Sequence, residues 1–555
     1  MAPYIVVPPQ GSDQADEWVK LGVDAHVSGN LPKAQQHYQQ ALRLDPRHYI
    51  ATQNLALVFA QSNLINEGLL TIERASMMDG THAVIQRNWA LMALEADRIE
   101  DALAAGERGV KMKPNAETRL ALAMVLATAG RPQEAMPLYN DMLSDDPKHP
   151  VAAPNACFIQ TLTDANPKEL LAQRKKWYEA NRYTGEVIPH RNQKSVRTLR
   201  IGYVGGDFKC HSAAMIFGNV VKNHSKDFEI YLYSTLPVDA EKDLQTKKFK
   251  ACGTWRNLDG VSDEDADKMI RDDRIDILVD LAGHTNGGRL SLFTRKPAPI
   301  QCTGWGFAHG TGCPEIDYFF ADPIAVPPQE REFYAEKICD LPCIVTYEEP
   351  VDYALSGKSM LPYHRNGYIT FGSYARYEKL SDCCLETFAE ILRRVPDARL
   401  EFKDHGFKRP YSIRRVQSAL HDIAPERLLF SIATSHPEHL QTYQQADLIL
   451  DPFPHTGGVV GMEQLYMGVP IITLYGTQAS GRSTSSVLSA MGKSEWIAKT
   501  KEEYVEKAVS LAGDIQTLTK ARKTLREELL NSPVVKGYVN SVEAAYKDMW
   551  QKWIA

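Results

Sequence analysis

The residues best suited to chemistry lie in LILDPFPHTGGVVGMEQLYMGVPIITLYG, residues 448–476. An apolar strand ends at Asp451, a Pro/Gly-rich turn follows, and the pattern predicts a helix opening at about Gly457. Gly457 and Gly458 have no side chains to cover their backbone N–H groups, and such groups at a helix N-terminus hydrogen-bond phosphate. The helix dipole adds about 0.3–2 kcal/mol for an anion placed there. Glu463, further along the same helix, is positioned to accept hydrogen bonds from ribose hydroxyls. The ligand expected from this set is a nucleotide carrying a diphosphate. A Gly-Gly pair also marks ordinary strand-to-helix turns, so the pair alone leaves both readings open. His284, Thr285 and Gly287 follow the apolar run ILVDLAG. The carboxyl ends of parallel strands face the cleft of an α/β fold, so these residues are expected to line a sugar or acceptor pocket.

Groups of this kind need rigid elements behind them, and the chain changes rhythm twice in supplying them. Up to about residue 150 it repeats. Trp18, Leu21, Gly22, Ala25, Ala34, Tyr38, Ala41 and Pro46 follow the tetratricopeptide pattern, and the closing proline recurs at Pro114 and Pro147, two and three periods of roughly 34 residues later. The first and fourth units are strong matches; the second and third are degenerate. One helix pair cannot bury its apolar face alone, so the units are predicted to stack into an α-solenoid whose concave face grips a protein. A helical linker is expected over 151–197, ending in the polar stretch HRNQKSVR.

Beyond the linker, short apolar runs alternate with helical segments. LRIGYVGGDF, FEIYLYST, IDILVDLAG and IQCTGWG form one set. YITFGSY, RLEFKD, RLLFSIA, LILDPF and PIITLYG form a second, with helices at about 381–395, 411–423, 436–446 and 457–467. Two Rossmann-like α/β lobes are predicted, over 198–355 and 356–555, with a junction near 352–366. A C-terminal helix carrying Val539, Val542, Tyr546, Met549 and Trp553 at helical spacing is expected to pack back across them.

Bulk properties narrow the function classes. At 555 residues the chain exceeds one hydrophobic core, and about two to four domains are expected. A net charge of -6 and a pI near 6.3 argue against nucleic acid as the main partner. No apolar run is long enough to span a bilayer, and MAPYIVVPPQG lacks the basic start and apolar core of a signal peptide. Nine cysteines without paired CxxC spacing suggest neither a disulfide framework nor a zinc site, and a cytoplasmic location is expected.

Four ordered motifs resemble the O-GlcNAc transferase family, glycosyltransferase family 41. They are RIGYVGGDFKCHSAAM (200–215), DLAGHTNGGRLSLFTRKPAPIQCTGWGFAHGTG (280–312), FGSYARYEKLSD (371–382) and the 448–476 segment with SIATSHPEHLQTYQQADLILD ahead of it. Together with the repeats, the resemblance covers nearly the whole chain. It implies a two-lobe GT-B fold and metal-independent transfer of a sugar to protein side chains with inversion, without a cofactor. The family default is N-acetylglucosamine from UDP-N-acetylglucosamine to Ser or Thr.

Residue by residue, the resemblance implies that His211 stands near the reacting centre as general base or orienting group, while its position also suits a cap on the following helix. Lys379 matches the lysine that contacts the donor diphosphate, where a fixed ammonium stabilises the charge growing on the leaving group. Arg376 offers a second cation. His439 matches a histidine that packs on the nucleotide base, with His436 beside it reading the base edge. Arg482 fits a structural ion pair as readily as a ligand contact. The chain departs from the family at Gly458, Val459 and Val460, where His-Thr-Thr or three threonines are common. The hydroxyls are gone and backbone N–H groups must serve. This opens other donors and acceptors, such as hexose to Asn, or fucose or a nonulosonic acid to a protein like flagellin. A repeat scaffold with inactive transferase lobes is the reading from another class.

Overall fold

A computed structural model describes residues 4–9, 13–190, 198–350 and 360–555. Most of the polar stretch 190–197 and of the lobe junction at 352–366 falls outside the described residues. Two compact units are present: Met1–Ile159 with Lys408–Arg415, and Gln160–Phe407 with Val416–Ala555.

The first unit contains four helix pairs: Gln14–Val27 with Leu31–Leu44, Tyr49–Gln61 with Ile65–Met78, Ala83–Glu95 with Ile99–Met112, and Ala116–Thr128 with Pro132–Asp145. Small residues set their spacing. A Cβ added at Gly22 would sit 2.4 Å from the ring of Tyr38, so the glycine allows the first pair to close on its buried tyrosine. The second and third units, weak as sequence patterns, fold as complete pairs. Their first helices bury polar side chains, Gln53 and Asn54 in one and Gln86, Arg87 and Asn88 in the other, at positions where an apolar consensus looks for core residues.

The second unit holds two parallel sheets. The first is built from β1 (Leu199–Gly205), β2 (Phe228–Ser234), β3 (Thr254–Asn257), β4 (Ile277–Asp280), β5 (Ile300–Thr303), β6 (Tyr318–Ala321) and β7 (Lys337–Asp340), in the order β3-β2-β1-β4-β5-β6-β7. The second comprises β8 (Thr370–Ser373), β9 (Arg399–Lys403), β10 (Leu428–Ser431), β11 (Leu448–Leu450), β12 (Ile471–Leu474) and β13 (Ile497–Ala498), in the order β10-β9-β8-β11-β12-β13. All strands are parallel, and the order in which they are added reverses once in each sheet, at β1/β4 and at β8/β11. Ligands bind outside the carboxyl ends of strands at such points.

The C-terminal helix, Tyr538–Ile554, buries Tyr538, Val542, Tyr546, Met549 and Trp550, while Val539 and Trp553 are only half-buried. It returns to the first lobe: the Tyr546 and Tyr203 hydroxyls are 3.0 Å apart, and Trp305 Nε1 donates to the Tyr538 hydroxyl at 3.0 Å. Arg482 makes the structural ion pair. Its Nη1 and Nη2 donate to the two carboxylate oxygens of Glu330 at 2.6 and 2.7 Å, tying the second lobe to the first.

Candidate active site

At the β8/β11 switch point the two connections meet. After β8 a single 3₁₀ turn, Tyr377–Lys379, carries Lys379 inward, and its ammonium donates to the Thr456 carbonyl oxygen at 2.6 Å. Thr456 belongs to the turn after β11. Asp451, at the end of that strand, organises the turn: Oδ1 accepts from the Gly457 N–H at 2.9 Å and Oδ2 from the Thr473 hydroxyl at 2.7 Å. Burial pushes the Asp451 carboxyl up to about 6. The Tyr504 hydroxyl donates to the Asp451 carbonyl and the Ser381 hydroxyl to the Phe453 carbonyl, pinning the same loop from two sides.

This arrangement alters one expectation. The Gly457 N–H is not uncovered, because Asp451 takes it; a Cβ there would lie 3.2 Å from the carboxylate oxygen, a tight approach. The helix starts two residues later than read, at Val459, with Gly458 as its N-cap and no side-chain cap bond. A Cβ at Gly458 would meet nothing within 4 Å, so an open space faces the start of the helix. The first-turn amides, at Val459 and Val460, are the ones an i→i−4 ladder leaves unpaired.

Burial, with the exposed Arg376 guanidinium as the next cause, lowers the Lys379 ammonium to about 7. A diphosphate beside it restores the charged form, so binding an anion takes up a proton. At pH 8, where a terminal phosphate is already ionised, a nucleoside diphosphate bound here is expected to take up nearly one proton and to bind more weakly as pH rises further. Calorimetry in buffers of different ionisation enthalpy reads this directly; heats that do not depend on the buffer contradict it.

A second cluster stands beyond β10. His436 Nε2 lies 2.6 Å from Glu463 Oε1, and the Tyr443 hydroxyl donates to Glu463 Oε2 at 3.0 Å. His439 Nε2 is 2.7 Å from the same hydroxyl. Tyr443 gives its proton to Glu463 and burial holds His439 neutral, so His439 Nε2–H must be the donor to the tyrosine oxygen. Both Glu463 oxygens therefore engage protein partners. Glu463 is buried and holds His436 and, through Tyr443, His439, rather than standing open to a ribose.

In the first lobe the loops after β1 and β4 touch backbone to backbone at Gly206 and Gly287. A Cβ on either would come within 3.2 Å of the other's Cα. Gly287 also has φ +83, a second requirement for glycine. His211 is exposed at the start of the helix Ser212–Val221. Its Nδ1 accepts from the Ala213 N–H at 3.2 Å and lies 3.3 Å from Asp207 Oδ1. His284 is buried, with Nε2–H donating to the Thr311 carbonyl at 2.7 Å and its ring edge-on to Trp177. Burial lowers it to about 4. The Thr285 hydroxyl closes its own turn on the Ala282 carbonyl. His284 and Thr285 thus shape the loop rather than project polar atoms into open space.

Lys379, Arg376, Gly457, Gly458 and Val459 share one neighbourhood, and His436, His439 and Glu463 share another. His455 is a site neighbour whose one sequence mark is its place inside PFPHTGG. It is half-buried and held neutral by burial, with Lys379, Arg376 and His309 of the first lobe as further causes. His309 is buried, and neither ring nitrogen has a hydrogen-bond partner among the described residues. Its setting in GWGFAHGTG was the available signal. Tyr443, the hinge of the histidine cluster, carries no sequence mark of its role.

Comparison with known proteins bears on the family of the chain. The model of glycosyl transferase family 41 matches residues 179–348 and 344–542. The chain belongs to glycosyl transferase family 41. Tetratricopeptide models match residues 15–48 and 87–150. The probable UDP-N-acetylglucosamine–peptide N-acetylglucosaminyltransferase SPINDLY of Petunia hybrida is 32% identical over 368 residues, 64% of this chain and 39% of that protein. The related protein SEC of Arabidopsis thaliana is 30% identical over 380 residues, 65% of this chain and 38% of its own length. The chain thus matches about two fifths of the length of these curated relatives. A mutant of the Thermobaculum terrenum O-GlcNAc transferase superposes with a TM-score of 0.77 at 26% identity, covering 98% of this chain and 99% of that one. The family 41 match spans both lobes, and the tetratricopeptide matches fall on the repeats. No helix among the described residues is long and apolar enough to cross a membrane.

Proposed function

We propose that this family 41 chain transfers a sugar from a nucleotide diphosphate donor to a hydroxyl of a protein recruited by the repeats. The observation that carries the reading is the meeting of Lys379 with the turn after β11, at the switch point where a phosphate-linked ligand belongs. The Val459 and Val460 amides and Arg376 hold the diphosphate, and His436 and His439 face the base. The acceptor oxygen attacks the anomeric carbon as the bond to phosphate breaks, which inverts the centre. His211 takes the hydroxyl proton, and Lys379 balances the charge left on the diphosphate in place of a metal ion. The donor default is UDP-N-acetylglucosamine and the acceptor default Ser or Thr, as the names of the relatives suggest.

Titrating the purified chain with UDP-, GDP- and CMP-sugars tests this. Selective binding of a UDP-sugar is expected. Tight binding of a GDP- or CMP-sugar instead replaces the donor, and no binding of any of them leaves a repeat scaffold without transferase chemistry. Removing residues 1–150 is expected to reduce transfer to whole proteins at least about tenfold more than donor hydrolysis, since hydrolysis needs no recruited protein. Equal losses in the two assays contradict a recruiting role.

A further inference from the structure

His211 stands in the loop after β1, and an acceptor hydroxyl that reaches it belongs to a chain crossing the surface beside that loop. In the order β3-β2-β1-β4 the neighbouring connection is the one after β2, residues 235–253. The strands are parallel, so both connections leave at the carboxyl edge of the sheet, the edge that faces a cleft.

Three bonds fasten the two connections together. The Thr235 N–H donates to the Gly205 carbonyl at 3.0 Å, the Cys210 N–H to Asp243 Oδ2 at 2.8 Å, and the Thr246 hydroxyl to the Phe208 carbonyl at 2.7 Å. Asp243 also caps the short helix Leu244–Lys250, accepting from the Thr246 N–H at 2.8 Å. Residues 237–244 are thereby held as a rim beside His211.

This rim leaves apolar groups outside. Val238 and Leu244, near its two ends, are 66% and 59% exposed, while Leu236, Thr246 and Phe249 supply the buried side of the same connection. One exposed apolar side chain is ordinary. A pair that brackets charged groups beside a reacting centre marks an interaction surface.

Two acids of the rim are spent on internal bonds. Glu241 accepts from Lys250 Nζ at 2.6 Å, from Trp255 Nε1 at 3.2 Å and from Asn257, and Asp243 accepts from Cys210 and Thr246. Lys242, between them, is exposed, and Asp239, next to Val238, is the exposed acid of the segment. Lys209 adjoins Cys210 on the other connection. Burial raises the Asp207 carboxyl, and the nearby His211 and Lys209 oppose that rise, which sets the Lys209 ammonium close to the same pair. The surface bordering His211 is thus cationic at Lys209 and Lys242 and apolar at Leu244 and Val238.

We propose that residues 237–244 with Lys209 form the acceptor platform of the first lobe, and that it selects a protein segment whose modified residue has an acidic neighbour and a large apolar one. This rests on the reading of His211 as the group that meets the acceptor hydroxyl. The acidic side chain pairs with Lys209 and Lys242, and the apolar one covers Leu244 and Val238. A basic neighbour meets the same two ammonium groups and is repelled, so the charge excludes the wrong segment as well as holding the right one.

The test uses the full chain and four fluorescein-labelled peptides built around a single threonine, followed by anisotropy. They differ at two positions beside it, Asp or Lys at one and Leu or Ser at the other. The peptide with Asp and Leu is expected to bind roughly tenfold tighter than the one with Lys and Leu at low salt, and the gap to narrow at about 0.5 M salt. Lys209→Glu together with Lys242→Glu is expected to reverse that order. Val238→Ser with Leu244→Ser is expected to remove the advantage of Leu over Ser and to keep that of Asp over Lys. Equal or undetectable binding of the Asp and Lys peptides overturns the proposal, as does an order that the charge reversal leaves unchanged. Thermal melts check that the variants fold; if the double reversal melts early, Lys242→Glu alone carries the comparison, with the gap expected to shrink. Donor hydrolysis is expected to be the same in Lys242→Glu and in the serine pair as in the parent. A chain that ranks the peptides as expected and hydrolyses no nucleotide-sugar keeps the platform and loses the transferase reading. An active enzyme whose kcat/KM ratio for Asp and Lys peptides is unmoved by the charge reversal keeps the transferase reading and loses the platform.

Discussion

Lys379→Ala is expected to lower kcat for sugar transfer by about 10²–10³-fold, the scale of losing one group aimed at developing negative charge. The same substitution leaves the protein as stable as before or more so. Burial depresses the Lys379 ammonium to about 7, far below its value in the unfolded chain. Holding it charged therefore costs folding free energy, fully at pH values below about 7 and progressively less as pH rises towards the unfolded value. Its removal relieves that cost and forfeits one bond to the Thr456 carbonyl. Activity and stability consequently move in opposite directions, an outcome that a structural lysine does not produce. Steady-state kinetics and thermal melts at pH 6.5 read both. Undiminished turnover removes Lys379 from the catalytic set, and a collapse in melting temperature shows that any lost activity came from unfolding.

His211→Asn separates the two roles open to this histidine. Nδ1 lies within reach of both the Ala213 N–H and the Asp207 carboxylate, and it cannot serve both in one tautomer. Accepting from Ala213 puts the proton on Nε2 and makes the ring a helix cap. Donating to Asp207 frees the Nε2 lone pair to take a hydroxyl proton, with the carboxylate orienting the ring. Asparagine is itself a good N-cap, so the helix Ser212–Val221 and the melting temperature are expected to persist. Loss of the proton acceptor is expected to reduce kcat by about 10²–10⁴-fold. Activity near that of the parent chain assigns His211 to capping alone.

Local patterns carried far in this chain. The 34-residue period announced the stacked helix pairs, and the alternation of apolar runs with helical stretches announced both parallel sheets. Asp451, the Gly-Gly turn and the following helix were readable as a strand–turn–helix connection at the edge of the cleft. The strands left unread were β3, β6, β7 and β13, which span two to four residues each. Length alone does not set them apart, since β11 has three residues. β3 and β7 are edge strands with no fully buried residue and β13 is an edge strand of two, so they carry no sustained apolar run.

Hydrogen-bond ownership was settled by folding. Nothing within PHTGG says that Asp451 claims the Gly457 amide, because the carboxylate reaches it across a turn whose course depends on β12, Tyr504 and Ser381. Glu463 reads as a ribose acceptor until two side chains from a preceding helix and turn close on both its oxygens. Asn54 and Asn88 stand 34 residues apart in plain view, yet their respective partners are Val7 and Ile5, 47 and 83 residues away. Periodicity and turn chemistry are short-range properties that a run of amino acids holds wherever it lies. A polar atom, by contrast, bonds to whichever group the packed chain brings within 3 Å or so, and that choice exists only once distant segments share the same few cubic ångströms.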